Sequence, residues 1–240
     1  MGSDGTAHAA DGTPSGTWVW PANTLLGGLD PDSRDLLLTL GKMVQYTSDR
    51  IILRETDQST FVLVLLDGVV KATGRAQDTR DALLAVRIGG DLVGELGVLD
   101  GRPRSATVTS CGVVVGRLVT RDDFIACLRE NPRVAESVQR SVVGKLRSAN
   151  SRRIDFAGSD ARTRVARVLY DLAVTYGTRE GDGAFVAWPL TQPELATLIG
   201  AAEPTVHKAL RDLRAAGVIA TGYRRLRIND LDRLREVAFS

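Results

Sequence analysis

The segment 93–108 (VGELGVLDGRPRSATV) brings one carboxylate and one guanidinium into a short, glycine-containing frame. Glu95 precedes Arg104 by nine residues, and the glycines from Gly94 to Gly101 allow backbone amides to approach a ligand closely. Arg104 offers a planar, permanently charged fork for phosphate oxygens, whereas Glu95 only accepts hydrogen bonds and suits a sugar hydroxyl. A short helical turn after Gly94 would direct its positive end towards an anion. The spacing therefore predicts a nucleotide site.

The same segment resembles the phosphate-binding cassette of cyclic-nucleotide-binding domains, with a pattern of roughly G-E-L/A, a hydrophobic residue, a short loop and R-S/T/A-A-T/S-V. In that family the glutamate binds the ribose 2′-hydroxyl, the arginine pairs with the cyclic phosphate, and small residues beside it donate amide hydrogen bonds. The resemblance assigns these roles to Glu95, Arg104, Ser105 and Ala106, with Gly94 and Leu96 in the supporting turn. The alternatives are a surface β-turn with a chance salt bridge and a cassette that keeps its shape but binds nothing.

Residues 44–118 contain short β-branched and aliphatic runs separated by turn residues, a pattern typical of an antiparallel barrel or jelly roll. Asp67-Gly68 lies between two such runs and predicts a hairpin. Cyclic-nucleotide-binding domains usually have Glu-Gly in the preceding turn, whereas this chain has Glu55-Thr56, so we expect that turn to be made differently. Before the barrel, leucines at helical spacing in residues 29–43 predict a short helix packed beneath the sheet.

Asn131-Pro132 predicts the start of a long helix that runs to about Phe156. Its aliphatic residues form a narrow seam at helical spacing: Val134, Val138, Val142, Leu146 and Ala149. Such a seam is typical of a helix that pairs with another helix, although packing on its own barrel alone is the other interpretation. The segment resembles the subunit-pairing helix of the bacterial cyclic-AMP receptor and fumarate-nitrate regulator family. This resemblance implies that Asn150 contacts the purine, although Ala149 replaces a threonine common in cyclic-AMP binders.

Residues 191–228 predict a helix-turn-helix followed by a basic β-wing. Thr191 and Glu194 form a capping-box pattern at the start of the first helix, and Glu203-Pro204 begins the second helix. Six basic residues stand against one acidic residue in 205–228, a balance that favours contact with nucleic acid, although a solvated helix face has the same composition.

The order of these elements resembles the C-terminal winged helix-turn-helix of the same regulator family. Family members often begin the recognition helix with Arg-Glu, where this chain has Glu203-Pro204, and a following Gly-Arg pair is replaced by His207-Lys208. Because arginine to guanine is the commonest specific base contact, we expect a changed operator sequence. The predicted DNA contacts are Thr191, Gln192, Glu203, Thr205, His207, Lys208 and Arg211.

Composition excludes several classes of protein. With 240 residues, of which 43% are hydrophobic, the chain is long enough for two folded domains. No apolar run approaches the roughly twenty residues that cross a bilayer, and the N-terminus lacks a secretory signal pattern, so we expect a cytoplasmic protein with no membrane partner. The two cysteines form no clustered pattern that predicts a metal site. No nucleophile and base stand at a recognisable spacing, which argues against an enzyme and against catalytic residues.

These patterns predict an α+β fold with an N-terminal cyclic-nucleotide-binding β-barrel of jelly-roll type, a long dimerisation helix and a C-terminal winged helix-turn-helix. The predicted boundaries are 1–16 for a disordered tail, 17–130 for the barrel, 131–157 for the helix and 158–240 for the DNA-binding domain. The predicted function is a homodimeric transcription regulator of a pseudo-palindromic double-stranded DNA operator, with no cofactor and with RNA polymerase as a candidate partner. Its predicted effector is a cyclic nucleotide, with cyclic AMP as the first candidate and cyclic GMP or a different effector left open. The alternatives are DNA binding without a nucleotide and a regulatory module that acts on a protein partner.

Overall fold

A computed structural model of the chain describes residues 8–9, 18–75, 81–186, 191–222 and 225–239. The chain divides into two compact units, Met1–Gly144 and Lys145–Ser240. The predicted domain boundaries stay predictions, and the division between the units falls inside a long helix. The tail predicted over 1–16 lies outside the described residues, apart from the two residues of a short strand.

The first unit contains two antiparallel sheets. Its strands are β1 (His8–Ala9), β2 (Lys42–Tyr46), β3 (Ile51–Leu53), β4 (Phe61–Asp67), β5 (Val69–Arg75), β6 (Asp81–Ile88), β7 (Leu92–Val93), β8 (Thr107–Ser110) and β9 (Val114–Thr120). The first sheet has the order β1-β2-β9-β4-β7, and the second has the order β3-β8-β5-β6. Apolar residues from both sheets form a shared core. This arrangement confirms the predicted α+β fold with a jelly-roll type of barrel.

Five helices of the described chain contribute residues to the core on one face of the first sheet. They are α1 (Leu25–Gly28), α2 (Pro31–Thr39), α3 (Glu95–Asp100), α4 (Arg121–Glu130) and the long α5 (Pro132–Gly158). α2 is shorter than predicted, because Gly41 has a φ of 61° and β2 begins immediately after it.

β4 is buried on both faces, in keeping with its sequence FVLVLLD, in which every residue but the last is apolar. Val62 and Val64 pack with residues of α1, α2 and α4, whereas Leu63 and Leu65 belong to the core between the sheets. Successive side chains of a strand point to opposite faces, so a strand buried on both sides is a continuous apolar run.

Asp67-Gly68 does not form the predicted hairpin. β4 and β5 belong to different sheets, so this turn carries the chain from one sheet to the other. Gly68 has a φ of 91°, and a Cβ atom there would lie 2.4 Å from the carbonyl oxygen of Val113. The Asp-Gly pattern marks a tight turn correctly, but it carries no information about which strand pairs with β4.

The second unit has one core shared by helices and a small sheet. Beyond α5, its elements are α6 (Ala161–Tyr176), β10 (Thr178–Glu180), β11 (Gly183–Val186), α7 (Gln192–Ile199), α8 (Glu203–Ala215), β12 (Ile219–Gly222), β13 (Arg225–Ile228) and α9 (Leu231–Phe239). The sheet has the order β10-β11-β13-β12. α7 and α8 are the predicted helix pair, and β12 and β13 pair as the predicted wing, whose tip at 223–224 lies outside the described residues.

Candidate functional site

The predicted cassette links the two sheets of the barrel. β7 ends at Val93, Gly94 turns the chain with a φ of 83°, and α3 begins at Glu95. A Cβ atom at position 94 would lie 2.9 Å from Nη1 of Arg104, so this turn favours glycine for both its conformation and its space. The helical turn predicted after Gly94 is confirmed. Residues 101–106 then lead from α3 into β8 of the second sheet.

Glu95 and Arg104 are both buried in the barrel, each with 4% of its surface exposed. Burial lowers the pKa of Arg104, and the nearby carboxylates of Asp57 and Glu95 partly oppose that shift. An arginine keeps its charge even so, because its ordinary pKa lies far above neutral pH. The cassette therefore holds a buried positive charge within electrostatic range of a buried carboxylate.

Arg104 donates hydrogen bonds to three acceptors of the barrel itself. Nη1 donates to the carbonyl oxygen of Gly94 at 2.5 Å, Nη2 to that of Phe61 at 2.6 Å, and Nε to Oγ of Ser59 at 3.0 Å. The guanidinium carbon also lies 5.3 Å from the centre of the Phe61 ring. Sequence reasoning missed Ser59 and Phe61, which precede Arg104 by 45 and 43 residues and carry no motif of their own.

The turn before β4 also contacts Arg104. Thr56 has a φ of 68°, a conformation that is costly for a β-branched residue. Its amide donates to the carbonyl oxygen of Arg104 at 2.9 Å, and the Arg104 amide donates to the carbonyl oxygen of Asp57 at 2.8 Å. Thr56 thus takes a conformation that normally favours glycine, which is how this chain makes the turn without one.

The start of α3 has no side-chain cap within the described part of the chain, because its N-cap residue is Gly94. Leu96 and Ser105 are exposed, and Ala106 is half-buried. The first amide N–H groups of a helix have no partner inside that helix, so they suit an anion. Gly94, Glu95, Leu96, Arg104, Ser105 and Ala106 are thus brought together around one turn of the barrel.

The aliphatic seam of α5 has two different halves. Val134 and Val138 are buried in the core of the first unit. In the second unit, Leu146 and Ile154 are 59% and 72% exposed, and Asn150 is exposed between them. Residues four apart lie on one side of a helix, so these three form a single stripe. Of the predicted seam, Leu146 is therefore exposed, and Val142 and Ala149 are half-buried. Asn150 and Ile154 extend the exposed surface beyond the seam, and pairing with a partner helix stays a prediction.

α7 begins with the predicted capping box. Oγ1 of Thr191 accepts a hydrogen bond from the Glu194 amide at 3.3 Å, and Oε2 of Glu194 accepts one from the Thr191 amide at 2.8 Å. Gln192 is the exposed first residue of the helix. Gly200 ends it with a φ of 62°, and α8 follows at Glu203. This confirms the two-helix geometry with a short turn.

α8 has one buried and one exposed side. Its buried residues are Val206, Ala209, Leu210 and Leu213. The predicted DNA contacts on this helix are all exposed: Glu203, Thr205, His207, Lys208 and Arg211. The side chains of Lys208 and Arg211 make no hydrogen bond or ion pair with any residue that the structure describes. Two such cations on the second helix of a helix-turn-helix suit DNA phosphates and guanine edges.

Two further properties concern the described residues. None of their helices is both long and apolar enough to cross a membrane. No three or more of their histidine, cysteine, aspartate and glutamate side chains are grouped so that they could hold a metal ion.

Two protein-family models match this chain. The cyclic nucleotide-binding domain matches residues 43–131, and the Crp-like helix-turn-helix domain matches residues 163–237. The chain is 31% identical to the CRP-like cAMP-activated global transcriptional regulator of Mycobacterium tuberculosis over 86% of this chain and 92% of that protein. It is 27% identical to the cyclic AMP receptor protein of Thermus thermophilus over 90% of this chain and 96% of that protein.

Among solved structures, FixK2 from Bradyrhizobium japonicum superimposes with a TM-score of 0.73 at 21% identity, covering 84% of this chain and 98% of that chain. That likeness shows the fold alone. The 31% identical relative is named as a transcriptional regulator, and the C-terminal match is to a helix-turn-helix domain, which confirms the prediction that this chain is not an enzyme. Together, the two domain matches and the full-length relative show that the chain belongs to the Crp-Fnr family of DNA-binding transcription regulators.

Proposed function

We propose that this chain is a homodimeric transcription regulator, acting in the cytoplasm, whose DNA binding is controlled by cyclic AMP bound in the barrel. The observation that carries the proposal is the burial of Glu95 and Arg104 together beside the start of α3. The 31% identity to a relative named as cAMP-activated supports cyclic AMP as the effector.

In the proposed complex, Arg104 binds the cyclic phosphate and Glu95 accepts a hydrogen bond from the ribose 2′-hydroxyl. The amides of Ser105 and Ala106 donate to phosphate oxygens, while Gly94 and Leu96 form the turn that presents them. Glu95 repels any second phosphate, so the pair favours a nucleotide with one phosphate over a nucleoside di- or triphosphate. Asn150 contacts the base.

A second copy of the chain completes the proposed regulator. Leu146 and Ile154 are two exposed aliphatic residues of α5 that a partner helix would cover. A two-fold dimer places two copies of α8 in successive major grooves about 34–36 Å apart, which requires a pseudo-palindromic operator. The contacts proposed for each half-site are Thr191 and Gln192 on the DNA backbone, and Glu203, Thr205, His207, Lys208 and Arg211 on the groove. RNA polymerase as a further partner stays a prediction.

Control by the nucleotide requires a difference in affinity. Cyclic AMP shifts the dimer towards the DNA-binding arrangement only if it binds that arrangement more tightly than the other. Linkage then requires that operator DNA raise the affinity for cyclic AMP by the same factor.

Titration calorimetry of the full chain with cyclic AMP, cyclic GMP and cyclic di-GMP tests the effector. We expect cyclic AMP to bind most tightly of the three. Glu95→Gln keeps the size of the side chain but removes its charge, so its affinity for cyclic AMP should be lower than that of the wild type by about tenfold or more. Asp35→Asn, at an exposed carboxylate on α2, is the matched control and should bind like the wild type. Absence of binding by all three nucleotides, or an unchanged affinity in Glu95→Gln, would contradict the proposal.

A fluorescence titration of DNA tests the coupling. With an operator selected from random sequence, cyclic AMP should increase the affinity of the wild type several-fold, and the operator should have two related half-sites. Equal affinity with and without nucleotide would show that the barrel does not control DNA binding.

A further inference from the structure

Arg104 is held by a turn that the cassette motif does not include. The turn between β3 and β4 contacts it at three points. Two contacts are made by the backbone, through the Thr56 amide and the Asp57 carbonyl oxygen. The third is made by a side chain, because Oγ of Ser59 accepts a hydrogen bond from Nε at 3.0 Å. The turn therefore holds both the backbone and the side chain of this arginine.

These contacts fix the plane of the guanidinium. An arginine side chain has five N–H groups, and Arg104 donates three of them to Ser59, Gly94 and Phe61. Acceptors at Nε, Nη1 and Nη2 restrain rotation about the bonds next to the guanidinium. Among the described residues no acceptor contacts the other two N–H groups, so they can donate to an anion. The direction in which they point is then determined by the barrel and not by the ligand.

Ser59 differs from the other two acceptors. Gly94 and Phe61 use carbonyl oxygens, which any residue would provide at those positions. Ser59 uses its hydroxyl, so this contact depends on the residue type. A polar residue at position 59 is therefore the means by which the sequence can adjust the orientation of Arg104.

We propose that Ser59 is a positioning residue for effector binding, which acts by orienting Arg104 before the ligand arrives. This inference depends on the proposed function, because it assigns Arg104 to the phosphate of the nucleotide. A group already held in its binding geometry loses less conformational freedom when the ligand binds. Loss of the hydroxyl removes one of the three acceptors, so the guanidinium is held less firmly by Gly94 and Phe61 alone, and the ligand contact weakens although the charge is kept.

Calorimetric titration of the full chain with cyclic AMP tests this assignment through a set of matched variants. Ser59→Ala should weaken binding by up to about tenfold, because the ligand must then order a side chain that the wild type already holds in place. Ser59→Thr keeps the hydroxyl and should restore most of the affinity. Thr47→Ala removes a hydroxyl from an exposed residue on another turn of the same barrel and should bind like the wild type.

Nuclear magnetic resonance of the Arg104 Nε–H tests the hydrogen bond in the wild type itself, without nucleotide and without dependence on the folding of a variant. We expect slow exchange of this proton with water in the wild type and in Ser59→Thr, and fast exchange in Ser59→Ala. Fast exchange in the wild type overturns the inference, because Ser59 then does not hold the guanidinium.

The outcomes separate this inference from the proposed function. If the wild type binds no cyclic nucleotide, the proposed function and this inference both fail. If the wild type binds cyclic AMP and Ser59→Ala binds it equally well, only the role of Ser59 fails. If Ser59→Ala and Ser59→Thr lose affinity to the same extent, Ser59 is needed for its shape and not for its hydroxyl, which also overturns the inference.

Discussion

Arg104 in the barrel and Lys208 on α8 carry the same charge in opposite surroundings. Arg104 is 4% exposed and donates three hydrogen bonds to the protein. Lys208 is exposed, and its side chain makes no hydrogen bond or ion pair with another described residue. A barrel can surround a small anion completely, so the side chain that pairs with the anion can be buried and orientated before the anion binds. DNA is too large to enter the protein, so its cations must extend from the surface.

This difference separates two kinds of dependence. A buried and internally bonded cation contributes to folding as well as to binding, so its replacement changes both. An exposed cation contributes to binding alone, because water solvates it equally well in the folded and unfolded chain. Variants in both units test whether burial, and not the domain in which a cation lies, decides if that cation contributes to folding as well as to binding.

Arg104→Lys should have the largest effect. The charge is kept, but an ammonium group has only three N–H donors, all on one atom. It therefore cannot reach Ser59, Gly94 and Phe61 and also bind a phosphate, as a planar guanidinium can. We expect the affinity for cyclic AMP to fall by about a hundredfold or more, and the free energy of unfolding to fall by about 2–3 kcal/mol because buried carbonyl oxygens lose their donors. Calorimetry and urea denaturation measure the two effects. Binding within threefold of the wild type would show that charge alone suffices.

Arg167→Met comes next, because Arg167 is an arginine of the second unit that bonds to three other residues of the protein. It contacts Asp155 and Ser159 through Nη1 and donates from Nε to the carbonyl oxygen of Ala238 at 2.6 Å. Its replacement should lower the free energy of unfolding by about 2 kcal/mol, because Asp155 keeps a largely shielded charge without its partner.

Urea denaturation followed by circular dichroism measures this loss. Arg162→Met is the matched control on the same helix, since Arg162 is exposed, and its effect should stay within about 0.5 kcal/mol. Equal losses in both variants would mean that the internal bonds of Arg167 add nothing to stability.

Lys208→Ala combined with Arg211→Ala should affect DNA binding alone. We expect about tenfold weaker binding and a slope of log affinity against log salt that is smaller by about 2, if both residues contact phosphates. Thermal stability and cyclic AMP affinity should not change, because both side chains are exposed. Fluorescence titrations at several salt concentrations measure the slope.

Arg235→Ala, at an exposed residue of α9, removes the same kind of charge from the same unit. It should leave the salt slope near that of the wild type. If it reduces DNA binding as much as the α8 variant does, general charge and not a contact face on α8 accounts for the affinity.

Local patterns explain which parts of this protein could be predicted from its sequence. Glu95 and Arg104 lie in one short segment whose loop length keeps them together, and the capping box of Thr191 and Glu194 marks the start of α7 within four residues. Short-range geometry of this kind is encoded by neighbouring residues, so it can be read without the fold.

The parts that were missed depend on long-range pairing. Ser59 reaches Arg104 only because β4 and the cassette are neighbours in the folded barrel, and neither serine nor the Phe61 carbonyl oxygen has a sequence signature. Asp67-Gly68 marks a turn, but the partner of β4 is chosen by packing on both of its faces. α9 is absent from the sequence prediction, although Leu231, Leu234 and Ala238 bury one side of it.

Thr56→Gly should have the smallest effect and the opposite sign. A residue with a side chain loses roughly 1–2 kcal/mol in the left-handed conformation that Thr56 adopts, whereas glycine costs about 0.5–1 kcal/mol in unfolded-state entropy. The difference between these two terms predicts that Thr56→Gly raises the free energy of unfolding by about 0.5 kcal/mol. Urea denaturation measures this change. Cyclic AMP affinity should stay within about twofold, because the Thr56 amide keeps its bond to Arg104. Thr56→Ala keeps a Cβ atom in the same conformation and should gain nothing, so equal gains in both variants would assign the effect to loss of the threonine side chain and not to relief of backbone strain.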